Sequence, residues 1–112
     1  MTTMAGALVL DPAAIEQLPW RRMHGHREVF TRLLWQQGES LAGIIRLEPG
    51  EELPSHAHSH AEHHAWVLAG TGRMLDVALG PGSYVHVPAG LEHAVTDVGQ
   101  DGLTMLYLFL TR

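Results

Sequence analysis

The chain contains no cysteine and no lysine. Without cysteine there can be no disulfide scaffold, thiolate nucleophile, iron–sulfur cluster or cysteine-type zinc site. Without lysine there is no amine for Schiff-base chemistry. All seven cations are arginine, and they face twelve carboxylates for a formal charge of −5. That balance argues against a nucleic-acid backbone or an anionic membrane as the main partner. Long apolar runs are missing too: no stretch approaches the roughly 20 residues of a membrane-spanning helix. At the start, "MTTMAGALVLDPAAIEQL", the short apolar run meets Asp11 with no basic stretch before it, unlike a secretory signal. A cytoplasmic protein is the expectation.

What is present suits a packed core. The 112 residues are 46% hydrophobic, enough for one compact domain and too few for two. Residues 1–112 are therefore read as a single domain with an N-terminal segment, 1–19, in which Asp11-Pro12 starts a short helical turn through Leu18. After residue 20 helical periodicity is hard to find. Short segments punctuated by Gly and Pro read as strands: 27–35, 41–48, 64–70, 73–79, 83–88, 93–98 and 103–110. Regular spacing of this kind predicts an all-β sandwich or barrel.

Histidine is the residue in excess. Five of the nine histidines fall between His56 and His64, and their spacing is ordered. Gly50 is followed by five residues, His56-Ala-His58, four residues, His63, six residues and Gly70. Gly82 is followed by five residues, Pro88-Ala-Gly90, two residues, His93, three residues and Asp97. These two patterns, spanning residues 50–97, resemble the paired motifs of small single-domain bacterial cupins. The resemblance implies a double-stranded β-helix, or jelly-roll barrel, with a divalent transition metal (Fe, Mn, Ni, Zn or Cu) held by histidines of both motifs. Strand geometry agrees, since side chains two residues apart share a face and His56 and His58 would both enter the barrel.

The family's first motif carries a glutamate where this chain has His63, and Glu62 stands one residue earlier. A one-residue slip turns a strand over. With His63 inward, the inward set is His63, Ala65, Val67 and Ala69, small groups that leave room for a ligand, while Trp66 packs on the opposite face between sheets. With Glu62 inward it is Glu62, His64, Trp66 and Leu68. The first register is preferred, giving His56, His58, His63 and His93 as ligands, with Glu62 in place of His63 as the alternative. Four neutral imidazoles leave the metal more electrophilic than a site with a carboxylate. His60 is expected in a solvated turn, His64 facing away, His86 on the outer face or rim, and His24 and His26 on an exposed edge. Asp97 occupies the second motif's asparagine position in a supporting role. Tyr84, Tyr107, Trp35 and Phe109 could wall the pocket, though strand aromatics are more often core. Arg46 and Arg73 are expected to be exposed, and would bind an anionic substrate only if inward.

Fold does not give function. The resemblance favours a metal-dependent enzyme acting on a small oxygenated or aromatic molecule, with dioxygenase-type chemistry ahead of a Lewis-acid isomerase, cyclase or lyase. A non-catalytic metal or small-molecule binding protein is the alternative, acting in trans because no helix-turn-helix pattern is present. The closing run "LTMLYLFL" exceeds simple alternation, which predicts burial on both faces, by the opposite sheet and by a partner in a homodimer.

Overall fold

A computed structural model describes residues 2–4 and 6–111. The elements are β1 (Thr2–Met4), β2 (Ala7–Val9), α1 (Pro12–Glu16), β3 (Arg21–Arg22), β4 (Val29–Gln37), β5 (Ser40–Leu47), β6 (Leu53–His56), β7 (Ala61–Gly70), β8 (Gly72–Met74), β9 (Val77–Leu79), β10 (Tyr84–Val87), β11 (His93–Val95) and β12 (Leu103–Thr111). The helix begins where Asp11 caps it, its carboxylate accepting from the Ala14 N–H at 2.8 Å. Pro12 takes the first helical position, where a missing N–H costs nothing.

Six strands form one antiparallel wall in the order β10-β7-β12-β5-β4-β3. The facing wall is smaller, built from the pairs β11-β6 and β8-β9. Backbone bonds between Arg73 and Thr96 (2.8 and 3.0 Å) join these two pairs. This is the jelly-roll barrel that the resemblance implies. Its core lies between the walls, where Val29, Leu47, Leu103, Met74, Val87 and Val95 are fully buried. Burying such a side chain stabilises the fold by about 1.5–3 kcal/mol.

Several local expectations change. The segment 73–79 is a hairpin, not one strand. Its two arms, β8 and β9, meet at Leu75 and Asp76, whose φ angles are 48° and 63°. Two such residues make a tight turn of the kind that matches strand twist. In β7 the alternation holds from His63 through Ala65 to Val67 and then breaks. Thr104 pairs with Ala69 and Met105 with Val67, so Leu68 is an extra residue in a bulge, and Ala69 is exposed rather than inward. Gly70 ends the strand at φ 82°, against the Gly102 carbonyl, where any Cβ would collide. Trp66 faces outward as expected, but it is 37% exposed rather than packed between sheets. The outer side of β12 is half-covered: Leu106 and Leu108 are partly buried and Leu110 is exposed.

Candidate metal centre

The two histidine motifs meet across the smaller wall. His56, at the end of β6, pairs directly with His93, the first residue of β11. Strand β6 stops at His56, so His58 lies in the loop beyond it rather than on the strand. That loop is tied to the second motif where the Gly90 N–H donates to the His58 carbonyl at 2.9 Å. His63 arrives from the facing wall on β7. All four imidazoles line one cavity.

One ring nitrogen each of His56, His58 and His93 can be chosen so that all three lie within 4.8 Å of one another. The His56 Nδ1 lies 2.8 Å from the Pro54 carbonyl, and the His93 Nδ1 lies 3.1 Å from the Leu91 carbonyl. A carbonyl can only accept, so each Nδ1 carries the proton and each Nε2 keeps its lone pair for the cavity. The His58 Nε2 is buried with no hydrogen-bond partner. A buried nitrogen without a partner carries a desolvation cost of about 1–3 kcal/mol that a cation would remove. The donor set therefore fits a divalent transition metal. His63 stands beside this triad, its Nδ1 3.4 Å from the His93 Nε2.

Burial favours the neutral form of His58, His63 and His93, the form that metal ligation requires. His63 is held down at about 3 from the ordinary 6.5, first by burial and then by the imidazoles of His93, His58, His56 and His64. His58 is lowered by burial and by His56 and His93. His93 is lowered by burial and by His56, with the Leu91 hydrogen bond partly opposing the shift.

The cavity measures about 170 Å³, and a dry cavity of about 150 Å³ admits benzene. Its remaining walls are apolar apart from Thr31 and Tyr107; among the described residues no carboxylate or guanidinium lines it. The Phe109 ring packs against His58 and His63, with centroids 4.5 and 4.6 Å away. Tyr107 sits over Gly43, where an added Cβ would lie 2.5 Å from the phenol oxygen. Burial raises the Tyr107 pKa, so its hydroxyl stays protonated and can donate.

Glu62 lies on the other side of β7. Its Oε1 is 3.0 Å from the His86 Nε2 on β10, in an outward row that includes His64, Trp66 and Tyr84. There the His64 Nδ1 and the Tyr84 hydroxyl are 2.6 Å apart. Of the four aromatics considered as walls, Tyr107 and Phe109 line the cavity; Tyr84 does not, and Trp35 falls in register with Ala42, Leu108 and His64 on the outer face. His60 is exposed, and His26 Nδ1 lies 3.9 Å from a Glu51 oxygen. Arg46 pairs with Glu48 at 3.2 Å, and Arg73 with Asp97 at 3.3 Å, so neither reaches the cavity. Sequence reasoning missed Met23, Thr31 and Leu53 as walls and the Pro54 and Leu91 carbonyls as anchors. Each anchor stands two residues before its histidine, a spacing with no signal of its own.

A family model described as the ChrR cupin-like domain matches residues 10–110. The chain belongs to that cupin family. Among solved structures, this cupin is similar to a predicted oxalate decarboxylase from Thermotoga maritima, with 19% identity, a TM-score of 0.80, and coverage of 94% of this chain and 100% of that one. It is similar to an RmlC-like cupin from Shewanella frigidimarina at 24% identity and a TM-score of 0.73, covering 87% of this chain and 86% of that one. It also matches a structure of Rhodobacter sphaeroides SigE in complex with the anti-sigma ChrR, at 24% identity and a TM-score of 0.71, covering 88% of this chain and 51% of that one. At these identities the likeness is one of fold. No curated protein matches the sequence.

Proposed function

We propose that this cupin binds a divalent transition metal through His56, His58 and His93, with His63 as the fourth ligand, and acts on a small oxygen-bearing aromatic or enolic molecule. The observation that carries the reading is the anchoring of the His56 and His93 Nδ1 atoms to backbone carbonyls. It leaves each of these two rings a lone pair on Nε2, in a triad with His58 whose ligand atoms lie within 4.8 Å of one another. Glu62, engaged with His86, is not assigned as a ligand.

When bound, the metal would supply Lewis acidity and, if redox-active, electron transfer. The protein's own groups set the substrate class. The apolar walls and small volume suit a compact ring and exclude water, and the Tyr107 hydroxyl offers one donor to a substrate oxygen. No arginine clamp is present for a dianion, and no general base other than histidine lines the cavity. Oxidative chemistry on a molecule already acidic enough to bind as its anion needs no such base, which favours a dioxygenase-type reaction over a Lewis-acid isomerisation. Metal analysis of the purified protein, followed by oxygen-uptake assays across phenols and diketones, tests this. A site with every coordination position filled by protein groups would rule it out.

A second reading has its own support. The matching family model is described as the ChrR cupin-like domain, and one structural match is a complex of an anti-sigma protein with its sigma factor. On that reading the cupin binds metal or a small molecule without turnover and reports occupancy to a protein partner. Ligand binding without oxygen consumption or product would select it. The partly covered outer side of β12 also supports a homodimer, which sedimentation analysis would test.

A further inference from the structure

We propose that Arg32 and Trp20 form a carboxylate-binding site on the outer face of the six-stranded wall. Thr31 lines the metal cavity. The next residue on β4, Arg32, points to the opposite side, because successive side chains of a strand alternate. Its side chain is only 9% exposed. Its guanidinium carbon lies 4.3 Å from the centroid of the Trp20 ring, which covers one side of it. Its Nε is buried with no hydrogen-bond partner.

No carboxylate among the described residues pairs with Arg32. On the same face Arg46 does have partners: it bonds Glu48 at 3.2 and 3.3 Å and Thr104 at 3.2 Å. Cross-strand pairing sets Arg32 beside Ile44, which supplies no acceptor from its side chain. A nearly buried cation without an anion is costly, more so than a methionine of similar shape. Stacking on an indole recovers only part of that cost. Guanidinium donors form a rigid planar fork that matches a carboxylate in two-point contact. Trp20 also walls an open groove of about 420 Å³ with Phe30, Arg46 and Glu48, so the indole that covers Arg32 borders open space. Glu48 in that groove is already engaged by Arg46, so it does not neutralise Arg32.

The carboxylate has two sources, a free small acid or an acidic side chain of a second copy, and two arms of one NMR experiment separate them. In the first, propionate is titrated against chloride at constant ionic strength while the Arg32 Nε–H and Trp20 indole N–H signals are followed. In the second, protein concentration is raised without added acid, alongside sedimentation. The proposal expects a saturable shift of both signals in at least one arm, and in Arg32→Met, read from the Trp20 indole N–H alone, a response weakened about tenfold or more. That variant should unfold at a temperature no lower than the parent. If Arg32→Met does not fold, Arg32→Lys, which keeps the charge and loses the fork, should weaken the response. No saturable shift in either arm, or an unchanged response in the variant, overturns the proposal. Metal content should be the same in all variants, so the result stands apart from the metal centre.

Discussion

At the residue scale, each histidine's part depends on which of its nitrogens is free. His56 and His93 have one nitrogen tied to a backbone carbonyl, and His58 has one without a partner. His63→Ala should weaken Zn(II) or Ni(II) binding by more than the roughly 10–100-fold that loss of a supporting contact costs, whereas Glu62→Ala should leave it unchanged. Calorimetry with either metal reads the difference, and the reverse order would place Glu62 in the site. The depressed His63 pKa also ties stability to pH. In the metal-free protein the unfolded chain takes up a proton near 6.5, while folded His63 does so only near 3. Stability is then full above 6.5 and falls as pH drops through that window, by about 1.4 kcal/mol per unit at most for this one group. Thermal unfolding from roughly neutral pH down to about pH 4 should show the decline, and His63→Asn should make it shallower, leaving the share from His58 and His93. The sequence made the register of β7, with His63 toward the cavity and Glu62 on the other side, legible through its inward set, because Ala65 and Val67 are small where Trp66 and Leu68 are large. It was silent on Pro54 and Leu91, whose contribution is a carbonyl that any residue could supply.

At the scale of elements, alternation identified most strands, and the errors mark places where the period of two breaks. The single strand read over 73–79 is a hairpin because Leu75 and Asp76 adopt left-handed geometry, which aspartate visits readily but leucine does not advertise. Left-handed backbone costs a residue with a Cβ about 1–2 kcal/mol, so Leu75→Asn should raise the unfolding temperature by a few degrees; calorimetric melting checks it. The bulge at Leu68 was hidden for a similar reason: it exists only against β12, where Thr104 and Met105 skip a partner. Gly43 on β5 makes the opposite case. Its missing Cβ leaves space for the Tyr107 phenol and the Arg32 carbonyl, so Gly43→Ala should destabilise the protein by about 1–3 kcal/mol through overpacking. Urea unfolding measures that loss, and a loss below about 0.5 kcal/mol would show that Tyr107 moves aside freely.

At the scale of the whole molecule, two sheets of unequal size hold a cavity between them, and the proposed four-histidine site would span both. His56 and His93 belong to the small wall, His63 to the large one. A bound metal would cross-link the walls and stabilise the folded state by mass action, about 2.7 kcal/mol at a free concentration roughly 100-fold above the dissociation constant. Chelator treatment should therefore lower the unfolding temperature of the metal-loaded protein, and His56→Ala should abolish the difference between loaded and stripped samples. An equal effect of metal on the variant would place binding elsewhere, for example among the outward His64, His86 and Glu62.

The sequence by itself determined the fold class and where the histidines cluster, since motif spacing and strand alternation are local and survive in one dimension. It also excluded whole chemistries through what it lacks, because no fold can supply a thiol or an amine that the chain does not contain. Tertiary structure decided the rest. It set which nitrogen of each ring is free, how small the cavity is, and that Tyr107 and Phe109 wall it while Tyr84 and Trp35 do not. It also left Arg32 nearly buried without a counter-ion among the described residues. These depend on contacts between residues far apart in the chain, which only the closing of one wall over the other brings into being.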